Sequence, residues 1–359
     1  MREHSILVRT SHSAPLRIVS IGGGSGLSTL LRGLKRYVRE SAGGIQLTAV
    51  VTVTDDGGSS GRLRRDFDVL PPGDIRNCMV ALAPDETLIS RLFQYRFASG
   101  RGLKGHSFGN LFLTAMTDLT GDFSQAVKLS SDVLSVLGRI YPSTAANVRL
   151  GAVLADGSRI EGETKISRSK QRIEKVLLKP GGAKPLPETL KAIAEADLIT
   201  LGPGSLFTSV IPNLLVDGMS DAIAASPALK AYFVNLMSQP GETTDFLASD
   251  HVEAVLRHAS KRTKRKSSII DVVVLNKGAI RDGILRRYRA KAARPIKNDA
   301  DRIAELGPAV KWEDLVRMPV APVNGKIRHD SGALAAVTVE LALQGRKRRA
   351  AGKRPRTPK

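Results

Sequence analysis

Cysteine, aromatic residues and long apolar runs are all scarce in this chain of 359 residues. Its one cysteine, Cys78, excludes an intramolecular disulfide and a zinc site built on several thiolates, and it is typical of a reducing compartment. No apolar run approaches the roughly 18–20 residues that a membrane-spanning helix needs. Near the N-terminus the only apolar stretch is residues 6–8, which is too short for the core of a signal peptide. The sequence therefore predicts a cytoplasmic protein.

Aromatic residues make up 4% of the chain and are not interleaved with basic ones, so no specific reader of nucleic acid is expected. Acidic residues number 34 against 55 lysines and arginines, which leaves a net charge of +21. Residues 346–359 hold eight basic side chains and no acidic one, and the run 261–266 adds five more. We expect one domain over 15–343, a disordered segment over 1–14, and a disordered basic tail over 344–359. The tail is either a weak contact for an anionic surface or a solubilising segment.

The start of the chain has the pattern of a βαβ unit. Residues 16–21 form a short apolar run that ends in glycines, and Leu27, Leu30, Leu31 and Leu34 then recur at helical spacing. A β-branched strand follows over 45–53. The prediction is an α/β fold, Rossmann-like and doubly wound, with a mainly parallel sheet, helices on both faces and a small β-hairpin excursion near 148–178.

Four predicted strands end in segments suited to ligand binding. In such sheets ligands bind beyond the carboxyl ends of the strands, where glycines let backbone N–H groups approach a phosphate. The first loop is neither a dinucleotide fingerprint nor a Walker A loop, and its alternative interpretation is a tight strand-to-helix turn. The candidate ligand-binding residues at these strand ends are Gly22, Gly23, Gly24, Ser25, Gly26, Thr54, Asp55, Asp56, Gly57, Gly58, Ser59, Ser60, Arg62, Gly202, Pro203, Gly204, Ser205 and Asn235.

The second loop carries the most specific chemistry. Carboxylates beside a phosphate site indicate Mg²⁺ or a hydrogen bond to a sugar or base, so Asp55 is the candidate metal ligand. Ser59, Ser60 and Arg62 are expected to contact phosphate oxygens. The alternative for the paired Asp55 and Asp56 is the capping of a turn.

Two further polar segments add candidates. Asp74 and Asn77 follow Gly73, with a helix N-cap as the alternative role for Asp74. His106, Ser107 and Asn110 lie at a glycine-flanked helix start, where they can donate hydrogen bonds to an anion; the alternative for His106 is a core or capping role.

Six motifs stand in the order found in one protein family. The sequence resembles the bacterial YvcK-like gluconeogenesis factors of the CofD-like superfamily over roughly residues 15–335. The motifs are Gly22-Gly23-Gly24-Ser25-Gly26-Leu27-Ser28, Val53-Thr54-Asp55-Asp56-Gly57-Gly58-Ser59-Ser60-Gly61, Pro72-Gly73-Asp74-Ile75-Arg76-Asn77, Gly105-His106-Ser107-Phe108-Gly109-Asn110-Leu111, Gly202-Pro203-Gly204-Ser205-Leu206 and Gln239-Pro240-Gly241-Glu242-Thr243.

The resemblance implies a nucleotide-type ligand. The YvcK-like branch is associated with UDP-sugars, notably UDP-N-acetylglucosamine, and with gluconeogenic growth, cell shape and cell-wall synthesis. A tyrosine and an arginine tied to UDP-sugar binding in that branch match Tyr288 and Arg328. The alternative is a CofD-like transferase that moves a phospholactyl group from a nucleotide diphosphate carrier with Mg²⁺. The branch also implies an unidentified regulatory protein partner, and a homo-oligomer is left open.

The sequence departs from the family pattern at four places. Ser25 replaces the threonine of many relatives and keeps the hydroxyl, whereas Phe246 lacks the hydroxyl of a common tyrosine. The basic run 261–266 and the basic tail are local additions that the family does not explain.

Overall fold

The computed structural model describes residues 14–84, 87–260, 268–280, 282–290, 292–317 and 327–352. Within these ranges the strands are β1 (Leu16–Gly22), β2 (Ile45–Val51), β3 (Arg139–Pro142), β4 (Arg149–Leu154), β5 (Arg159–Glu161), β6 (Ile173–Lys179), β7 (Leu198–Leu201), β8 (Leu229–Phe233), β9 (Val272–Asn276), β10 (Ala309–Glu313), β11 (Val316–Arg317) and β12 (Arg328–His329).

The helices of the described ranges are α1 (Gly24–Glu40), α2 (Gly58–Phe67), α3 (Gly73–Leu82), α4 (Leu88–Gln94), α5 (Phe108–Thr120), α6 (Phe123–Val133), α7 (Glu163–Ser167), α8 (Pro187–Glu195), α9 (Ile211–Leu214), α10 (Met219–Ala225), α11 (Ala248–Ser260), α12 (Asp282–Arg289), α13 (Ala300–Glu305) and α14 (Ser331–Ala350). A π-helical turn, Leu206–Val210, directly precedes α9.

Seven strands of the described residues form one sheet in the order β10-β9-β8-β7-β1-β2-β3, with every neighbouring pair parallel. Every residue of β7 and β8 is buried, which is typical of strands covered on both faces. A separate antiparallel sheet, β5-β4-β6, is the predicted hairpin excursion. The predicted α/β class and the small hairpin sheet are confirmed.

The strand order places a ligand crevice at β1. The chain builds outward from β1 through β2 to β3 on one side, and from β7 through β8 and β9 to β10 on the other. In open α/β sheets this reversal leaves a crevice beyond the carboxyl ends of the two central strands. The loops after β1 and β7 therefore meet at the position where a ligand is expected.

The helix α1 fastens the first loop to the core. Leu27, Leu30, Leu31 and Leu34 are all fully buried, and each such side chain contributes roughly 2 kcal/mol of burial free energy. On its far side α1 packs closely on α14, where a Cβ at Gly33 would overlap the Ser331 carbonyl oxygen. Because both neighbours are fixed, the N-terminus of α1 has a defined position at the carboxyl edge of the sheet.

The basic tail begins later than predicted. Residues 344–350, expected to be disordered, continue α14 and carry ion pairs to carboxylates at the strand starts. Arg346 lies 2.8 Å from the nearly buried Asp197 carboxylate, and Arg348 lies 3.4 Å from that of Asp271. Cations also suit a helix C-terminus, which is a further reason for the extension. The predicted segments 1–13, 261–266 and 353–359 lie outside the described residues.

We expect Arg346→Ala to lower the free energy of unfolding by about 1–3 kcal/mol, because it removes a charged hydrogen bond from a carboxylate that is nearly buried. Lys347→Ala is the matched control, since Lys347 is exposed on the same helical turn. Urea unfolding of both variants measures the difference. Equal stability of the two would show that the ion pair of Arg346 with Asp197 does not stabilise the fold.

No helix among the described residues has the length and apolar composition needed to cross a membrane.

Candidate functional site

A cleft of about 210 Å³ lies at the carboxyl ends of β1, β7 and β8. We name it the switch-point cleft. The residues that line it are Gly23, Gly24, Ser25, Gly26, Thr29, Pro203, Gly204, Ser205, Ser209, Asn235, Leu236, Met237, Gln239, Ile327, Arg328 and His329. The structure thus brings together the first and third predicted loops, Asn235 and Arg328. Gly22 ends β1 and Gly202 follows β7, directly before the loops that line the cleft.

The glycines of the first loop permit close packing and leave backbone donors open. Gly24 has φ +61°, a backbone conformation that side chains other than glycine rarely adopt. A Cβ at Gly26 would overlap the Pro203 carbonyl, so this glycine lets the two loops touch. The N-cap residue of α1, Gly23, has no capping side chain. Of the backbone N–H groups in the first turn, the Asp74 carboxylate accepts only that of Gly24, which leaves the Ser25 and Gly26 amides for a ligand. These amides can therefore bind an anion, assisted by the positive end of the helix dipole.

Polar side chains complete the cleft walls. The Gln239 amide donates to Ser205 Oγ at 2.8 Å, and the Asn235 amide donates to Gln239 Oε1 at 3.5 Å. These bonds fix the loops after β7 and β8 against each other. Arg328, an exposed residue of β12, is the one permanently charged residue among those lining the cleft. An anion in the cleft would meet serine hydroxyls, helix amides and this guanidinium.

Four carboxylates adjoin the cleft, and we name Asp55, Asp56, Asp74 and Glu163 the acidic cluster. Asp74 Oδ2 accepts the N–H of Gly24 at 2.7 Å, which joins the cluster to the cleft. Asp55 accepts the N–H of Gly57 at 2.9 Å, and Asp56 accepts the N–H and the hydroxyl of Thr164 at 2.9 and 2.6 Å. The hairpin sheet, through α7, thus closes over the second predicted loop.

Mutual repulsion and burial raise pKa values within the acidic cluster. Burial raises the pKa of Asp74 to about 7, and the nearby Asp55 acts in the same direction. Burial also raises the pKa of Asp55, and it raises the pKa of Glu163 well above the usual range, with added repulsion from Asp55 and Asp74. Simultaneous ionisation of these carboxyl groups is therefore unfavourable, and bound protons or a cation would relieve the repulsion.

The donor chemistry of the acidic cluster suits Mg²⁺, which prefers hard oxygen ligands. In the described ranges, however, no three His, Cys, Asp or Glu side chains form a group that could hold a metal ion. Mg²⁺ commonly binds through one or two carboxylates together with substrate phosphates. A magnesium ion here would therefore take Asp55 and Asp74 as its protein ligands and depend on the phosphates of a ligand. The assignment of Asp55 as a metal ligand stays a prediction.

Asp74 does not cap its helix. The helix α3 begins at Gly73, and its N-cap, Pro72, has no capping side chain. The Asp74 carboxylate instead binds Gly24 across the cleft floor, with a further hydrogen bond from the Asn77 side chain. The capping alternative is therefore wrong, because the carboxylate serves a loop 50 residues away.

The candidates at the start of α5 bind the two serines of the second loop. His106 Nδ1 lies 3.1 Å from Ser59 Oγ, and the Asn110 amide lies 3.5 Å from Ser60 Oγ. Ser107 is the N-cap of α5, with its hydroxyl accepting the N–H of Asn110. Burial lowers the pKa of His106, so its ring is neutral at pH 7. This network supports the second loop from beneath, and direct ligand contact by its members stays a prediction.

Three predicted site residues have structural partners away from the cleft lining. The Arg62 guanidinium donates to the Lys104 carbonyl at 3.0 Å, and the buried Thr54 hydroxyl lies 3.2 Å from that of Thr52. The hydroxyl of Tyr288 accepts the N–H of Ile327 at 2.7 Å. Gly57 is the N-cap of α2, and Gly58 is its first residue. Tyr288 thus supports the segment that carries Arg328, rather than lining the cleft itself.

Sequence reasoning missed several residues of the site. Glu242 is buried and accepts hydrogen bonds from the hydroxyls of Ser167 and Thr208 at 3.1 and 3.3 Å, which fixes the Gln239 loop against the π-helical turn and α7. Glu242 and Gln239 both belong to the motif Gln239-Pro240-Gly241-Glu242-Thr243, so the sequence did offer a signal for them. Glu163 and His329 gave no such signal.

Comparisons with known proteins bear on this site. The model of the family described as 2-phospho-L-lactate transferase CofD matches residues 18–316. The chain is 45% identical to the gluconeogenesis factor of Bacillus subtilis, covering 90% of this chain and 98% of that one. It is 44% identical to the gluconeogenesis factor of Halalkalibacterium halodurans, covering 81% and 86%. A crystal structure of a Bacillus halodurans protein, 41% identical, superposes with a TM-score of 0.83 over 90% of this chain and 99% of that one.

Proposed function

Because the chain belongs to the CofD family, and within it to the gluconeogenesis factors, we propose that it binds a UDP-sugar, UDP-N-acetylglucosamine above all, in the switch-point cleft. The observation that carries the proposal is that Ser25 and Gly26, in the first turn of α1, line the same glycine-rich cleft as Arg328. Helix amides and a guanidinium together suit the two charges of a diphosphate.

We further propose that the bound chain acts as a cytoplasmic regulator. It would link gluconeogenic growth to cell-wall synthesis and cell shape through a protein partner that is not yet identified. Supporting a binding role over a catalytic one, His106 and Ser107 form hydrogen bonds within the protein rather than facing the cleft. A homo-oligomer and a weak contact of the basic tail with anionic surfaces complete the proposal.

A CofD-like transferase is the second candidate, and the acidic cluster favours it. Asp55 and Asp74 would hold Mg²⁺ against a nucleotide diphosphate, and that ion would neutralise the phosphates when bound. Two further contacts of the acidic cluster support this candidate, since Asp74 accepts the Gly24 N–H and Asp56 accepts the N–H of Thr164 on α7.

A ligand panel separates the two candidates. Calorimetry with UDP-N-acetylglucosamine, UDP, GDP and GTP, each with and without Mg²⁺, measures base selectivity and metal dependence. Selective uridine binding with the ligand recovered intact supports the regulator. Guanine selectivity with a Mg²⁺-dependent covalent product would replace it with the transferase.

We expect Tyr288→Phe to weaken UDP-N-acetylglucosamine binding about three- to tenfold, because it removes the acceptor of the Ile327 N–H and loosens the segment that carries Arg328. Tyr37→Phe is the matched control on α1. If the tyrosine acted only by stacking its ring on the ligand, the phenylalanine variant would bind like the wild type. Calorimetry of both variants decides between these roles.

A further inference from the structure

A second cavity, of about 420 Å³, opens at the carboxyl ends of β8, β9 and β10. It is adjacent to the switch-point cleft, because Asn235 and Leu236 line both spaces. Neighbouring strands lie about 4.8 Å apart, so the ends of β7 and β10 are separated by about 14 Å. That span matches an extended nucleotide whose diphosphate lies at β7 and whose base lies at β10.

The chemistry of the second cavity differs from that of the cleft. Its walls include the apolar side chains of Leu236, Leu285 and Ile296, and none of its lining residues is acidic. Trp312 on β10, the sole tryptophan of the chain, also lines it and is 42% exposed. The lining also includes the polar groups of Asn235, Asn276, Lys277 and Asn298. A large ring left half open to solvent beside apolar side chains offers a face on which a base can stack, and the amides offer hydrogen bonds to its edge.

A buried nitrogen without a partner lies between the two spaces. His329 lines the cleft, and its ring bonds the backbone of Val234, which lines the second cavity. Its Nε2 is buried with no hydrogen-bond partner in the described part of the chain. Burial lowers the pKa of this histidine to about 4, so the ring is neutral at pH 7. Buried polar atoms normally have partners, and a ribose hydroxyl between base and diphosphate would supply one.

We propose that this cavity is the nucleoside subsite of the chain, with the base stacked on Trp312 and the ribose hydrogen-bonded to His329. The assignment rests on the proposed function, because it takes the diphosphate to lie in the switch-point cleft. It places recognition of the nucleotide on the β8–β10 side of the sheet and leaves the sugar of a UDP-sugar toward the acidic cluster.

The single tryptophan makes the test direct. Intrinsic fluorescence of the full chain is titrated with UDP, UMP and N-acetylglucosamine 1-phosphate, with N-acetyltryptophanamide as the control for absorption by uracil. We expect a saturable change with UDP and UMP and none with the sugar phosphate. A change with the sugar phosphate instead would assign the cavity to the sugar and overturn the proposal.

Substitution gives the second measurement. We expect Trp312→Ala to weaken UDP binding about tenfold in calorimetry, which corresponds to about 1.4 kcal/mol, and Trp312→Phe to stay within about threefold. Circular dichroism checks folding, and the wild-type fluorescence titration decides the matter if the alanine variant unfolds. Calorimetric UDP binding with flat fluorescence and an unaffected alanine variant would overturn the subsite and leave the proposed function standing. Absence of any uridine nucleotide binding would overturn both.

Discussion

Gly24→Val is expected to weaken UDP-N-acetylglucosamine binding about a hundredfold, which corresponds to about 2.8 kcal/mol. Gly24 lines the switch-point cleft at the first position of α1, and its φ of +61° disfavours a β-branched residue. Valine would either place its methyl groups in the cleft or turn the first amides of α1 away from it. Each charged hydrogen bond lost contributes about 1.5–3 kcal/mol, so two such losses account for the effect.

A matched glycine separates this effect from backbone strain. Gly121, at the C-terminal end of α5, has φ +67° and no heavy atom near its Cβ position. The length of α5 places it about 20 Å from the start of that helix. Gly121→Val should therefore lower stability as much as the Gly24 variant and leave affinity unchanged. Calorimetry and thermal unfolding of both variants test this, and wild-type affinity in a folded Gly24→Val chain would remove the first loop from the site.

The first strand and helix of the fold could be predicted because their sequence signals are local. A strand, a glycine loop and a leucine stripe predicted β1 and α1, and the structure places them at Leu16–Gly22 and Gly24–Glu40. The helix begins three residues earlier than the stripe because Gly24 and Gly26 carry no hydrophobic signal. The parallel sheet follows from the same βαβ pattern.

Elements built from distant contacts could not be predicted in this way. The helix α2 begins Gly-Ser-Ser-Gly, a composition of weak helix formers that is typical of a loop. It is held by tertiary bonds, since the Arg64 guanidinium donates to the side chain of Asn147 and the carbonyl of Val148. A sequence window cannot show a partner more than 80 residues away.

The residues of the site likewise fall into those with a local sequence signal and those placed by distant contacts. The glycine loops carry their own signal, because backbone approach to a ligand needs glycine wherever it occurs. Glu163 carries none, since a lone carboxylate on a short helix has no pattern. It joins the acidic cluster only because Asp56 binds the next residue, Thr164, 108 positions away. The pKa of Asp74 likewise depends on burial and on Asp55, which the tertiary fold sets.

Asp74→Asn is expected to remove a large pH dependence. The pKa of Asp74 is about 7 in the folded chain and near 3.8 in the unfolded one, so folding favours the protonated carboxyl. Its contribution to stability is fully present below about pH 4 and is lost as the pH rises to about 7, a change on the order of 4 kcal/mol. The asparagine variant keeps an acceptor for the Gly24 N–H and has no charge to lose. It should therefore be more stable than the wild type at pH 8.

The negative charge of Asp74 should also lower the affinity for a phosphate-containing ligand. Above pH 7 an ionised Asp74 lies at the Gly24 amide that a phosphate would approach, with Asp55 adding repulsion and Arg76 opposing it. Without Mg²⁺ we expect wild-type affinity for UDP to fall between pH 6 and 8 and that of Asp74→Asn to stay level. Asp118→Asn, which alters an exposed carboxylate on α5, should keep the wild-type profile. With Mg²⁺ the wild type should regain affinity at pH 8 and the asparagine variant should not, because the cation needs the carboxylate that the variant lacks. Identical pH profiles for the wild type and Asp74→Asn, with and without the metal, would show that the acidic cluster does not act on the cleft.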